Sequence, residues 1–353
     1  LPKSLRILHV TNFNERHDGR LFFNTGRRLN NGFVRLGHSV LEFSDRDIIK
    51  HYKNLKDISG ANTLNRKLIN TVYNYKPDLL IIGHADLIRY NTLDYLKNNY
   101  KSLKIAQWFL DPLTKNGPDF EKNKARILDK IQLTDANFVT TSPDVLSFLP
   151  KNKISKFMPN PSDTSFEVLN NFENSHCSMD VFFALSHGVH RGILKKGKYD
   201  ERADFVNKLV EKTPNVKFDL YGINNIQPIW ADSFLKSIAN AKMGVNLSRG
   251  SPIKYYSSDR ITQLIGNGLL TFIDYQTHYN NFFETNEVIF YKNLSNLSEL
   301  IQKYAKDDFL RKKIAKKGKE KYMKYFNSTV VADYIINNTF SLPYKKNKYL
   351  WES

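Results

Sequence analysis

The sequence predicts an α/β protein built from two parallel-sheet domains. Two series of short apolar segments carry that expectation, one from Arg6 to Ser142 and one from Met179 to Asn293. Apolar runs without polar alternation, separated by helical stretches, indicate parallel strands covered on both faces. Between the two series, Lys156 to Ser178 loses periodicity and carries two prolines among several Asn and Ser residues, which suits a linker. A chain of 353 residues also exceeds what one core usually serves.

RILHVTN (6–12) is the first strand, followed by the polar loop FNERHDGR. A helix then runs through Leu36 and stops at Gly37, a residue type that favours the position after a helix end. SVLEFSD (39–45) is the second strand. DLLIIGHA (78–85) is the third, preceded by a helix carrying Leu68, Ile69, Val72 and Tyr73. KIAQWFLD (104–111) and ANFVTTS (136–142) complete the first series. The second series opens with MDVFFALS (179–186), continues through a helix over 201–212 to VKFDLYG (216–222), and passes a helix over 230–241. MGVNLSR (243–249), LLTFID (269–274) and VIFYKN (288–293) follow, with helices from Ser295 onward. These segments predict a first domain over 1–160, a linker over 161–178, a second domain over 179–330 and a tail over 331–353, which is free to cross back to the first domain.

Composition narrows the classes. Hydrophobic residues make up 41% and aromatics 13%, enough for packed cores. No apolar run approaches the ~20 residues that span a bilayer, and LPKSLRILHV enters a strand without a signal-peptide core. One cysteine, Cys177, excludes an internal disulfide and a cysteine-based zinc cluster and fits a reducing cytoplasm. The net charge of +18 asks for an anionic partner. Part of the excess lies in RKKIAKKGKEKYMKYF (311–326) and YKKNKY (344–349), where Phe309, Leu310, Ile314, Tyr322, Tyr325 and Phe326 fall at helical spacing. Such a helix has a solvated lysine face, or one that meets an anionic membrane surface. No nucleic-acid-binding signature accompanies the charge, so nucleic acid is not an expected partner.

The segment SRGSPIKYYSSDRITQLIGNGLLTFID (248–274) concentrates the candidate chemistry. Ser248, Arg249, Gly250, Lys254, Tyr255, Tyr256, Ser257, Ser258, Asp259 and Arg260 fall between a buried strand and a helix start. Helix N-termini expose unpaired N–H groups, so the segment reads as a diphosphate site at the carboxyl edge of a parallel sheet. The bland alternative is a solvated basic loop.

On these segments the chain resembles a GT-B glycosyltransferase over nearly its whole length. The local match is to the donor domain of family 4-type and spore-coat-type transferases, through ALSHGVHRG, VKFDLYG, MGVNLSR and SSDRITQLIGNGLLTFID. The resemblance implies two Rossmann-like domains with the active site between them, a nucleotide-sugar donor and a saccharide or lipid-linked saccharide acceptor. It further implies work in bacterial surface polysaccharide or lipopolysaccharide synthesis, in the cytoplasm or at the inner face of the cell membrane. The acid that binds the nucleotide ribose in those relatives corresponds to Gln263, and a second acid, near the donor sugar, to Tyr255. The retaining-type pair of acids is therefore absent, which favours inversion. Arg260 matches an arginine of the spore-coat branch.

Glycosyl transfer needs the leaving diphosphate neutralised and the acceptor hydroxyl deprotonated. With no cofactor and no metal motif, the first task falls to Arg191, Lys195, Arg249, Lys254, Ser257, Ser258 and Arg260, with Gly188 and Gly192 admitting the phosphates to the backbone. Tyr221, ending VKFDLYG, is a candidate for the base pocket. His17 and Asp18, in the loop after the first strand, sit where inverting relatives place a base, and Asp111 ends the fourth strand. His84 and Asp86 follow the third strand and are candidates for sugar contacts. DRD at 45–47 follows an early strand and does not fit a metal-binding DxD context. For each loop charge the alternative is a cap, a turn former or a solvated group. Two other functions remain open for the chain: a sugar-nucleotide epimerase or hydrolase of the same fold, and a non-catalytic binder of anionic ligands.

Overall fold

In a computed structural model, residues 4–117, 119–186 and 200–352 are described. The chain divides into two compact units. One takes in the chain up to Lys115, Asp119–Pro161 and Asn327 onward, and the other is essentially Ser162–Phe326.

The first unit is a six-stranded parallel sheet. Its strands are β1 (Arg6–Thr11), β2 (Ser39–Ser44), β3 (Leu79–Gly83), β4 (Lys104–Phe109), β5 (Ala136–Val139) and β6 (Ser155–Phe157), in the order β2-β1-β3-β4-β5-β6. Helices α1 (Thr25–Arg35), α2 (Asp45–Tyr52), α3 (Ala61–Tyr75), α4 (Tyr90–Asn99) and α5 (Phe120–Ile131) connect them. Leu8, Val10, Leu80, Ile82 and Ile105 of the central strands pack under Leu64, Leu68 and Val72 of α3 and Leu93 and Leu96 of α4. Each such buried side chain contributes about 1.5–3 kcal/mol. The polar residues ending the apolar runs lie outside the strands: Asp45 is the first residue of α2, and His84, Asp86 and Asp111 lie in loops. Strand β6 is too short, at three residues, to show a period.

The second unit is a five-stranded parallel sheet. Its strands β7 (Met179–Ala184), β8 (Phe218–Tyr221), β9 (Ala241–Asn246), β10 (Leu270–Asp274) and β11 (Ile289–Tyr291) run in the order β11-β10-β9-β7-β8. Helices α6 (Glu201–Lys212), α7 (Ala231–Ala239), α8 (Arg260–Gly266), α9 (Leu294–Lys306) and α10 (Asp308–Tyr325) cover it. Val181, Phe183, Met243, Val245, Leu270 and Phe272 face Val206, Leu209, Leu297 and Ile301, while Phe182, Leu264 and Leu269 meet Ile238 on the other side. The stretch read as a linker, 161–178, is packed into this unit. Phe166, Glu167 and Asn171 are buried there, and Asn171 Nδ2 donates to Ala241 O at 2.8 Å.

From Asn327 the chain belongs to the first unit, where helix α11 (Ser328–Thr339) packs on α1. A Cβ on Gly32 would stand 2.1 Å from Ser328 O, so only glycine allows this approach. The tail then folds back over α11. Tyr349 Oη donates to Asp333 Oδ2 at 2.7 Å, its ring and that of Trp351 stand edge-on to Tyr334, and Glu352 pairs with Lys156 at 2.8 Å. Within 344–349 the aromatics are therefore engaged and Lys345 and Lys346 point to solvent. Helix α10 buries Ile314 and Tyr322 and exposes Lys313, Lys316, Lys317 and Lys324. No described helix is long and apolar enough to cross a membrane.

Candidate active site

Because all strands of each sheet are parallel, the loops that follow them collect at one edge. This is where ligands of open α/β sheets bind. In the second unit this edge is dominated by the segment between β9 and α8. Asn246, the last residue of β9, donates through Nδ2 to Ser257 Oγ at 3.0 Å, and both side chains are buried. Ser258 N donates to Ser248 Oγ at 3.0 Å, closing the loop on itself. Tyr255 holds a left-handed backbone (φ 63°), its N–H donates to Thr277 O at 2.7 Å and its ring lies against Phe282. The Tyr255 hydroxyl accepts from Asn281 Nδ2 at 2.9 Å. The loop is thus tied at both ends and at its middle.

Arg260 points inward. Its Nη1 donates to Leu247 O at 2.7 Å and to Ser258 Oγ at 3.1 Å, and its Nη2 donates to Ala184 O at 2.8 Å. The guanidinium lies 4.9 Å over the Phe183 ring. Burial, with Arg202 nearby, brings its pKa down to about 10. It therefore joins the carboxyl ends of β7 and β9, a role that its position in the sequence did not suggest. Helix α8 has seven residues, with the Asp259 carboxylate at its start.

Gln263 is half-exposed on α8. Its backbone carbonyl accepts from Asn267 Nδ2 at 2.8 Å, and its carboxamide has no hydrogen-bond partner among the described residues. Tyr221, at the end of β8, accepts from Ser237 Oγ at 2.9 Å, and burial pushes its pKa up. That bond anchors it to α7. Gly188, Arg191, Gly192 and Lys195 lie outside the described residues.

Three residues at this edge carried no mark in the sequence reading. Asp200 caps α6, accepting from Arg202 N at 3.1 Å, and holds the Arg202 guanidinium through two hydrogen bonds of 2.8 and 2.6 Å. Burial works against the charged Asp200, but Arg202 holds its pKa below the usual carboxylate range. Glu201 accepts from Gly250 N at 3.1 Å, fixing the loop to the start of α6. The acid-rich helix start Asp200–Glu201 was the available signal.

In the first unit, β2, β1, β3 and β4 are neighbours, so the residues after them share one edge. The loop after β1 is built on Asp47. That carboxylate accepts from Glu15 N at 2.8 Å, Arg16 N at 3.3 Å, Arg16 Nη1 at 2.6 Å and the Ser44 hydroxyl. Burial opposes its ionisation, but these donors hold its pKa low. Two left-handed residues, Asn14 and Asp18, bound the short turn that carries His17. His17 Nδ1 lies 3.4 Å from Arg20 Nη2, and Asp18 is exposed.

Next to it, His84, Asp86 and Asp111 are one network. His84 Nε2 accepts from Leu110 N at 2.9 Å, so Nδ1 carries the proton and faces Asp111 Oδ2 at 3.4 Å. Burial lowers the His84 pKa, and the ring stacks on Phe109 at 4.6 Å. Arg126 bridges the two acids, donating to Asp111 Oδ2 at 2.9 Å and to Asp86 Oδ1 at 2.8 Å, while Arg46 reaches Asp86 at 3.0 Å. Asp45, dismissed in the sequence reading, is fully buried at this edge. One of its oxygens accepts from Arg46 N at 2.8 Å, the other has no partner, and burial raises its pKa to about 7. Among the described residues, no group of three His, Cys, Asp or Glu side chains is placed to hold a metal ion.

Comparison with known proteins bears on the fold that carries these residues. Residues 201–337, most of them in the second unit, match a family described as glycosyl transferase-like. No curated protein sequence matches the chain. Among solved structures, HepE from Anabaena, in complex with UDP and glucose, superposes with a TM-score of 0.60 at 11% identity, over 96% of this chain and all of that one. OtsA superposes with a TM-score of 0.55 at 10% identity, over 95% of this chain and 99% of that one. TarM reaches 0.56 at 12% identity over 80% of this chain, which spans 58% of TarM's length. At these identities the likeness is one of fold. The chain thus has the two-unit fold of the GT-B glycosyltransferases, and most of its second unit matches the glycosyl transferase-like family.

Proposed function

We propose that this protein transfers a sugar from a nucleoside-diphosphate donor to a saccharide or lipid-linked saccharide acceptor, in the synthesis of a bacterial surface glycan. The observation that carries the reading is the ordered loop 247–259 at the carboxyl edge of the glycosyl transferase-like unit. It is fastened by Asn246, Glu201 and Arg260, and the Gln263 carboxamide, unbonded among the described residues, stands on the helix that follows. HepE is solved with UDP and with UDP-glucose, and TarM with UDP and an N-acetylglucosaminyl glycerol, which supports a UDP-linked donor and a glycan acceptor here.

In this reading Gln263 hydrogen-bonds a ribose hydroxyl, and Arg249, Lys254 and the loop N–H groups meet the diphosphate. Arg260 acts through the strand ends that it braces. The acceptor oxygen attacks the anomeric carbon, the bond to the diphosphate breaks with its electron pair leaving on oxygen, and the acceptor proton passes to a base. His17, presented by the loop that Asp47 anchors, is the preferred base, with Asp18 beside it. Asp111, oriented by Arg126 and His84, is the alternative. The Arg126-linked acids Asp86 and Asp111 are suited to accept hydrogen bonds from sugar hydroxyls. One displacement of this kind inverts the anomeric centre.

Thermal melts with UDP, GDP, dTDP, CMP and ADP test the donor site. A cognate nucleotide at a hundredfold excess over its Kd raises the melting temperature by about 5 °C. Silence across the panel overturns the reading.

A further inference from the structure

The turn between α2 and α3 exposes apolar side chains to a degree rare in the rest of the chain. Leu55 is 96% exposed and Ile58 79%, with Tyr52 exposed beside them. The turn is built to hold them there. Asn54 and Asp57 form an antiparallel bridge, and Asn54 Oδ1 accepts from Lys56 N at 2.9 Å and Asp57 N at 3.0 Å. The Asp57 carboxylate turns inward, accepting from Thr63 N at 2.7 Å and Ser59 Oγ at 3.3 Å. Gly60, at φ +71°, closes the turn within 3.1 Å of the Ile49 backbone, measured from where a Cβ would stand. With Asn54, Asp57 and Ser59 bonded within the turn, Leu55 and Lys56 are left at its tip.

The surrounding charge has one sign. Between Ile48 and Lys76 the chain carries Lys50, Lys53, Lys56, Arg66, Lys67 and Lys76, and a single acid, Asp57, which is buried. The Lys67 ammonium lies 4.2 Å over the Tyr52 ring. An exposed apolar tip flanked in the chain by the exposed Lys50, Lys53 and Lys56, with no exposed acid between Ile48 and Lys76, complements a surface that is anionic outside and apolar beneath. We propose that this turn inserts into the headgroup boundary of an anionic lipid bilayer. Leu55 and Ile58 enter the acyl layer, and Lys50, Lys53 and Lys56 meet the headgroup phosphates. Helix α10 fits that role less well. Its exposed Phe309 adjoins Asp307 and Asp308, and Glu320 interrupts its lysine face. The inference concerns the first unit alone and does not rest on sugar transfer, so it stands or falls separately from nucleotide binding.

Flotation of the purified chain with vesicles tests it, comparing pure phosphatidylcholine with phosphatidylcholine containing about 30% phosphatidylglycerol. The chain binds the anionic vesicles and leaves the neutral ones. Leu55→Ser with Ile58→Ser lowers the partition coefficient at least about tenfold. Lys53→Ala with Lys56→Ala lowers it about 25-fold, each lysine being worth about fivefold. Lys316→Glu with Lys317→Glu leaves it unchanged, and all three variants melt with the wild type. Failure of the wild type to bind overturns the proposal. So does full binding by the Leu55/Ile58 variant, which means adsorption by charge alone, or loss of binding in the Lys316/Lys317 variant, which moves the contact to α10.

Discussion

The Nη2 of Arg260 donates to the carbonyl of Ala184, 76 residues earlier in the chain, at 2.8 Å, while its Nη1 holds Leu247 O at 2.7 Å. One buried guanidinium thereby fixes the spacing between the ends of β7 and β9, and so the footing of the loop that we assign to the donor. Peptide carbonyls released from such a bond inside a protein lose more than the bond itself, because no water replaces the donor.

Replacing Arg260 by Met therefore lowers stability by about 2–4 kcal/mol, read from urea unfolding. Arg260→Lys recovers part of the loss, since an ammonium reaches one carbonyl but not both. Nucleotide affinity of the Lys variant, measured well below its melting point, stays close to wild type if Arg260 acts through the strand ends. A large loss of affinity at full folding assigns it to the phosphates instead.

Asp47 carries the loop of His17 without being near enough in sequence to suggest it. Asp47→Ala frees the N–H groups of Glu15 and Arg16 and the Arg16 guanidinium. The expected result is a fall in kcat of about ten- to a hundredfold, as for a base displaced by about 1 Å. KM for the nucleotide sugar stays unchanged, because the donor loop belongs to the other unit. A rise in KM with kcat intact argues against this arrangement.

Asp45 gives the first unit an unusual pH dependence. The unfolded carboxyl titrates near 3.8 and the buried one near 7. Between these values the folded chain keeps a proton that the unfolded chain has released. The contribution is therefore favourable below about pH 4 and is lost as pH rises through 7. Asp45→Asn is accordingly more stable than the wild type at pH 8, by up to about 4 kcal/mol. The difference shrinks steadily toward pH 4, as paired unfolding curves across that range will show. An equal difference at every pH would point to packing instead of the proton.

Gln263 separates binding from stability. Its carboxamide is half-exposed and bonds to no described residue, so Gln263→Ala changes stability by less than about 0.5 kcal/mol. Loss of a ribose hydrogen bond weakens nucleotide binding by about tenfold, measured by calorimetry. Unchanged affinity removes Gln263 from the donor site.

Fully buried strands leave apolar runs such as Leu79–Gly83 that need no partner to be recognised, so both parallel sheets, and the place along the chain of every strand except the three-residue β6, were legible in the sequence. It also marked the segment 248–274, since polar and basic residues between two buried strands have few other places to lie. What it could not determine is where a side chain points once the chain has folded. Arg260 read as a phosphate-binding candidate and became an internal brace. Asp45 and Asp47 looked like a metal motif out of context; one became a buried acid and the other the support of the His17 loop. His84, Asp86, Asp111 and Arg126 form one network only because β3 and β4 are neighbours and α5 lays Arg126 across both loops. The return of the chain at Asn327 likewise depends on Gly32 meeting Ser328, a contact across almost 300 residues. Periodicity reports burial within one element, whereas these arrangements depend on which elements become neighbours, and that is decided only when the sheets assemble.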